Sequence, residues 1–357
     1  MRVCFAGAYD PGYPRNRILR AGLARAGVSV VEARVRERRA WLRYPELGLA
    51  LLRGAESWDV ILIPEFRHKD VPLARLLRGP SRLVFDPLVS RWDTLVQDWG
   101  LHAAGSAQAR WNRGIDRLAF RCADLVLCDT WAHGALFESL GAPRDRLRRV
   151  LVGAEDEFFE LGSPPAEGPV RVLYLGGFLP LHGVTVIVDA IARLEGMSAP
   201  LPDWRVDMVG RGIDFDRVRA QAERAQLTRL ELPGARPYAQ APAAFASAHI
   251  VLGAFGTTPK AGRVIPHKVY QGLAAGRAVV TGEGPGVREV FTPDEHLIAV
   301  PRGDAVALAE ALARLIRDES LRQRVGAAGR ARAREVATVD AVGSSLLGAL
   351  ETLPRRQ

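Results

Sequence analysis

Residues Gly256–Arg288 read GTTPKAGRVIPHKVYQGLAAGRAVVTGEGPGVR. The pattern passes from a turn-rich loop to a helix, then to a buried strand, a Gly-Pro-Gly turn and the start of another helix. Pro266 suits the first turn of a helix, where its missing N–H costs little, and Gly276 suits the left-handed stop beyond the last turn. The run Ala278–Thr281 is short and apolar on both faces, which predicts a strand of a parallel sheet covered by helices on each side. Lys260, Arg263 and Lys268 crowd into the loop and the first helical turns, and cations at a helix entry suit a diphosphate. The chain has 49 basic residues but only three lysines, Lys69, Lys260 and Lys268. A compact ammonium is not interchangeable with a guanidinium, so two lysines in one segment point to a site. Solvated lysines on a helix face are the plain alternative.

Working outward, short apolar runs recur with helical stretches between them. In the first half they are Val3–Ala6, Val28–Val31, Val60–Ile63, Leu83–Phe85, Leu125–Leu127 and Val150–Val152. In the second they are Val170–Leu175, Val206–Val209, Leu230–Leu232, Ile250–Leu252, Ala278–Thr281 and Leu297–Val300. Gly162–Pro169, GSPPAEGP, separates the two sets and can continue neither a helix nor a central strand. The pattern predicts an α/β protein of two Rossmann-like, doubly wound domains, residues 1–163 and 170–335, with a cleft between their facing sheets. Residues 336–357 read as a closing helix that packs back toward the first domain.

The bulk numbers exclude several classes. A length of 357 residues with 48% hydrophobic content fits two domains of ordinary size. The net charge of +9 divides almost evenly between the halves, and 7% aromatic content gives no base-stacking platform, so nucleic acid is not an expected partner. Cys4, Cys122 and Cys128 show no metal or disulfide spacing, and no histidine pair makes a metal face. No apolar run is long enough to span a bilayer and no signal peptide precedes the first strand, so a reducing cytoplasm fits best. Arg34–Tyr44, RVRERRAWLRY, interleaves guanidiniums with apolar residues. It reads either as a solvated face or as a peripheral contact at the inner face of a membrane.

Several loops carry candidate chemistry. Tyr9–Asn16, YDPGYPRN, follows the first strand and lacks G-x-G-x-x-G, so it offers no dinucleotide cradle. It reads as a substrate-touching loop through Asp10, Arg15 or Asn16, or as an ordinary capped turn. Asp86 stands at the carboxyl end of the fourth strand, where a carboxylate can accept a proton or a sugar hydroxyl. Ser90 and Asp93 follow, each able to cap the next helix. Asp129 or Thr130 suits the cap of a helix carrying His133. Gly176 and Gly177 let backbone approach a ligand closely, with Phe178 beside them and His182 near a helix's positive end. Gly234–Pro237, containing Arg236, is a comparable loop in which backbone groups can read a base edge.

With these segments placed, the chain resembles the GT-B glycosyltransferases, specifically the family 4-like retaining enzymes. The likeness covers nearly the whole length. It is strongest over Ile265–Gly282 and Gly284–Glu289, with support from Tyr9–Asn16, Ser90–Thr94, Ala123–Thr130 and Gly177–Gly183. The resemblance implies a nucleotide-diphosphate sugar held by the second domain, an acceptor held by the first, and neither a metal nor a cofactor. Gln271 falls where the family has a glutamate that clamps the ribose hydroxyls. Arg263 falls on the partner glutamate, and Phe178 and His182 on an Arg and Lys pair. The expected donor contacts are Gly176, Gly177, Phe178, His182, Arg236, Lys260, Arg263, Lys268, Gln271, Gly284, Gly286 and Glu289. Asp86, Lys268 and Arg263 take the reacting centre, and Tyr9, Asp10, Arg15, Asn16, Ser90 and Asp93 face the acceptor, whether glycan, lipid-linked or small. A non-hydrolysing nucleotide-sugar epimerase and a weakly active partner subunit are the alternative readings.

Overall fold

The computed structural model describes residues 1–36, 39–54 and 57–353. The chain divides into two compact units, Met1–Val152 with Val339–Gln357, and Gly153–Thr338. The first holds β1 (Arg2–Gly7), β2 (Ser29–Arg34), β3 (Val60–Ile63), β4 (Arg82–Phe85), β5 (Leu125–Cys128) and β6 (Leu147–Arg149). They form one parallel sheet in the order β2-β1-β3-β4-β5-β6. The second unit holds β7 (Val170–Leu175), β8 (Trp204–Val209), β9 (Leu230–Gly234), β10 (Ile250–Leu252), β11 (Ala278–Gly282) and β12 (Ile298–Val300). Their order is β12-β11-β10-β7-β8-β9, again parallel.

Alternation explains why such short runs make strands. In the first sheet Cys4, Ile61, Ile63, Leu83, Phe85 and Val126 face one buried layer. Val3, Phe5, Val60, Leu62, Val84 and Leu125 face the other. Both faces are sealed by helices, so every position must be apolar and the polar alternation of a half-exposed strand is absent. Strand order reverses between β1 and β3 in the first unit and between β7 and β10 in the second. At such points the loops leaving the carboxyl ends diverge and open a ligand crevice.

Two expectations shift. The sixth strand is Leu147–Arg149 rather than 150–152. Val150 is fully buried, but its carbonyl, like that of Leu151, accepts from the Arg15 guanidinium instead of a neighbouring strand. The Pro- and Gly-rich segment 162–169 lies inside the second unit, and the chain passes between units at 152–153. Arg277, 1% exposed, donates to the Gly162 carbonyl at 2.7 Å and to that of Phe245 at 3.0 Å, tying the segment down.

The last helix, Val339–Glu351, belongs to the first unit and packs on the helix Pro14–Arg25. Glycines meet where they cross: a Cβ on Gly22 would sit 2.6 Å from the Gly343 Cα, and one on Gly343 would sit 2.5 Å from the Gly22 Cα. Neither helix can move aside without opening the layer formed by Ile18, Leu23, Val342 and Leu346. Gly343→Ala is expected to cost about 1–3 kcal/mol through overpacking. Urea unfolding followed by circular dichroism reads it, and an unchanged midpoint would refute the close crossing.

Candidate functional site

In the second unit the site forms around Lys268, in the first turn of the helix His267–Ala274, with Pro266 at the N-cap as its sequence suggests. The Lys268 side chain is 4% exposed, and its Nζ lies 4.0 Å from the centroid of the Tyr174 ring. No hydrogen-bond acceptor among the described residues reaches that Nζ. Gly176 ends β7 with φ of +148°, and a Cβ there would lie 2.9 Å from both Cε and Nζ. Glycine is therefore needed for the amine to approach the loop. Burial pushes the Lys268 ammonium well below its ordinary pKa.

The loop itself is fixed from beneath. The Tyr174 hydroxyl donates to the Gly177 carbonyl at 2.5 Å, and His182 Nδ1 meets the same oxygen at 2.5 Å. Burial, followed by the charges of Lys268 and Lys260, drives the His182 pKa well below its usual value. A neutral ring facing a carbonyl through Nδ1 must donate there, which leaves Nε2 as the acceptor. Phe178 does not face a ligand. It is fully buried against Tyr174 and Phe215 at centroid distances of 5.5 and 5.2 Å, because apolar volume at that turn completes the core.

Lys260 and Arg263 lie on the short helix Pro259–Arg263, the first 4% exposed and the second half-buried. Gly284 and Gly286 serve this turn. Cβ atoms on them would meet the carbonyl oxygens of Gly262 and Arg263 at 2.3 Å each. Their lack of side chains sets how closely the cationic turn packs on the helix Pro285–Arg288. Glu289 ends that helix and lines a separate depression with His296 and Arg332.

Gly176 and Gly177 also wall a cavity of about 660 Å³, together with Gly210, Arg211, Arg236 and Tyr238. Arg236 is exposed there. Gln271, expected to meet ribose, spends its amide N–H₂ internally, at 2.6 Å from the Tyr238 hydroxyl oxygen and 3.5 Å from Glu155 Oε2. Tyr238 in turn donates to Glu155 Oε1 at 2.8 Å. An amide can donate to a carboxylate where a second carboxylate would repel it, which is why glutamine is accommodated here. Glu155, Tyr174 and Tyr238 were not singled out from the sequence. Tyr174 reads as one more apolar residue of a buried strand, and the other two lie in irregular segments.

In the first unit the expected acid is already spent. Asp86 and Arg15 are both fully buried, and the guanidinium donates to the two carboxylate oxygens at 2.6 and 2.8 Å. Burial alone would lower the Arg15 pKa, but Asp86 outweighs it and the net direction is upward. Tyr9 donates to Glu32 at 2.8 Å, and Asp10 Oδ1 closes a turn by accepting from the Gly12 N–H at 2.9 Å. Ser90 donates to Asp116 at 2.6 Å and accepts from the N–H of Asp93, which is itself fully buried. Thr130 caps the helix Trp131–Leu140, and His133 pairs with Asp129 at 2.7 Å in the core. These roles are structural, because each polar group needed a partner when its loop was buried.

Glu65, two residues beyond β3, stands apart. It is 4% exposed, and its Oε2 has no hydrogen-bond partner among the described residues. Burial pushes its carboxyl up to about 7, while Asn16 beside it pulls downward and the charge of Asp86 pushes upward. No sequence signal marked it, since the Ile63-Pro64-Glu65-Phe66 turn carries no motif. Of the Arg34–Tyr44 segment, residues 37 and 38 lie outside the described residues. Arg43 is buried in an ion pair with Asp70, and Leu42 is exposed. Among the described residues no helix is long and apolar enough to cross a membrane, and no cluster of His, Cys, Asp or Glu is arranged to hold a metal ion.

Two parallel six-stranded sheets, each wrapped by helices in this topology, match the GT-B fold of glycosyltransferase structures. Anabaena HepE, solved with UDP-glucose, superposes with a TM-score of 0.74 over 99% of this chain and 100% of that one at 16% identity, a likeness of fold. Residues 155–332, all within the second unit, match the family described as Glycosyl transferases group 1. A phosphatidyl-myo-inositol mannosyltransferase of Mycobacterium leprae is 33% identical over 159 residues, 44% of this chain but only 40% of that protein. A 2-deoxystreptamine N-acetyl-D-glucosaminyltransferase of Streptomyces fradiae is 27% identical over 345 residues, 89% of this chain and 79% of that one.

Asp86→Ala is expected to cost about 3–5 kcal/mol by stranding the Arg15 charge, so any activity it loses will track unfolding. Glu65→Gln is expected to do the reverse. A carboxyl whose folded pKa lies above its unfolded value binds more protons when folded. The wild type should therefore lose stability as pH rises through the window from 4.5 to about 7. Removing that ionisation should stabilise the protein at pH 8 by up to about 3 kcal/mol. Thermal melts of both variants at pH 5 and pH 8 check the pair, and equal melting of Glu65→Gln and wild type at pH 8 would contradict it.

Proposed function

We propose that this protein is a retaining glycosyltransferase that moves a sugar from a nucleoside-diphosphate donor to a hydroxyl acceptor. The observation that carries the reading is the buried Lys268 amine, held against the Gly176–Gly177 loop with no acceptor among the described residues. A cation kept in that position at a cost in desolvation has its natural partner in a ligand anion. The neighbouring cavity of about 660 Å³ is of the size that takes a nucleoside, with Arg236 and Tyr238 on its wall. Donor binding belongs to the second unit and acceptor binding to the first. The matched relatives are named as transferases, which favours transfer over epimerisation, and HepE carries UDP-glucose in its crystal.

The diphosphate gains charge as the sugar–phosphate bond breaks. Lys268, with Lys260 and Arg263, stabilises that state more than the ground state. This supply of positive charge from side chains is why transfer is read as metal-independent. The departing phosphate oxygen takes the acceptor's proton. Asp86 is withdrawn from the chemistry because Arg15 holds it.

Burial disfavours the charged form of Lys268, and an arriving diphosphate would offset that cost by favouring the ammonium. Calorimetry with UDP, GDP and TDP is expected to show one nucleotide binding. Its affinity should fall as pH rises. Lys268→Met is expected to weaken that binding about 10–100-fold, the loss of a charge-assisted contact, and to lower turnover further. Wild-type affinity in Lys268→Met would remove the basis of the reading.

A further inference from the structure

Among the described residues, the loops at the reversal of the first sheet leave several buried polar atoms without a hydrogen-bond partner: Asn16 Oδ1, Glu65 Oε2, the ring nitrogens of His68 and Asp70 Oδ2. Asn16, in the first turn of the helix after β1, is fully buried and has no partner at Oδ1 among the described residues. Glu65, on the loop after β3, is 4% exposed and has none there at Oε2. The two residues are neighbours, since Asn16 acts directly on the Glu65 carboxyl. Three neighbouring polar groups are occupied: Arg15 by Asp86, the Asn16 Nδ2 by the Asp10 carbonyl, Ser90 by Asp116.

When Glu65 is ionised, its Oε2 and the Asn16 Oδ1 are both oxygens that accept. Two buried acceptors side by side repel an anion and call for a ligand that brings O–H or N–H donors on adjacent atoms. We propose that Glu65 and Asn16 form a binding pair for neighbouring hydroxyls of a polyol acceptor, at the carboxyl ends of β1 and β3. The surrounding backbone is shaped to hold this pair. Phe66, directly after Glu65, has φ of +59°, and Leu88, two residues after Asp86, has φ of +58°. Left-handed backbone at non-glycine residues is strained and persists where surrounding structure imposes it, most often at binding sites. Here the Phe66 N–H reaches the Pro87 carbonyl, which joins the two strained loops. The Phe66 ring is 43% exposed and offers an apolar face against which the carbon ring of a polyol can lie.

A merely structural Glu65 would be served as well or better by glutamine, which has the same shape and no charge to desolvate. What a carboxylate adds over that amide is a stronger, charge-assisted acceptor for a hydroxyl. This inference rests on the glycosyl-transfer reading, since it supplies the acceptor side of that reaction, but it is tested separately from the donor site.

The full chain, saturated with UDP, is titrated with myo-inositol, 2-deoxystreptamine and methyl glucoside by saturation-transfer-difference NMR. At least one of the three is expected to bind the wild type. Its dissociation constant should rise about tenfold or more in Glu65→Gln, as expected for one lost hydrogen bond to a charged group. UDP affinity should stay within twofold, and the melting temperature at pH 8 should not fall. Polyol affinity unchanged in Glu65→Gln overturns the proposal, and so does the absence of binding by all three probes while UDP still binds. Failure of UDP itself to bind would count against the donor site at Lys268 and leave the polyol result to stand on its own.

Discussion

A primary amine buried between an aromatic face and a glycine backbone is the constraint on which the second unit depends. Lys268 cannot occupy that place if Gly176 carries a side chain, and it would lose its aromatic partner if Tyr174 were elsewhere on β7. Tyr174 in turn holds the glycine loop through its hydroxyl, together with His182. The arrangement is thus circular: the ring that shelters the amine also fixes the backbone that the amine faces. Desolvation makes the unliganded state costly for the ammonium, and this cost makes the site responsive to an anion.

The glycines near this centre differ in purpose. Gly176 makes room for a side chain, whereas Gly284 and Gly286 make room for the backbone of the turn carrying Lys260 and Arg263. Sequence alone treats all of them as loops that approach a phosphate. The structure separates room made for a side chain from room made between two pieces of backbone, and the second kind sets where the turn carrying the cations stands.

The first unit spends its charges differently. The Arg15 and Asp86 pair closes the space beneath the loops after β1 and β4, and its guanidinium also satisfies the carbonyls of Val150 and Leu151. Such a pair fixes loop positions at little net gain in stability, because desolvation offsets most of the attraction. Its value lies in holding neighbouring loops in a defined geometry, including the strained turns at Phe66 and Leu88.

Much of the fold was legible because its determinants are local. Four-residue apolar runs, Pro266 before a helix and Gly276 after it announce a parallel sheet wrapped by helices wherever they occur in the chain. The crowding of Lys260, Arg263 and Lys268 was visible for the same reason. What the tertiary structure alone decided is which polar groups remain available. Asp86 is claimed by a residue 71 positions away, and Gln271 faces a carboxylate 116 positions away. Glu65 is left open by the pairings around it. Periodicity and punctuation report whether a residue is inside or outside. Hydrogen-bond partnership depends on how distant loops come together at a sheet's edge, and no local pattern encodes that.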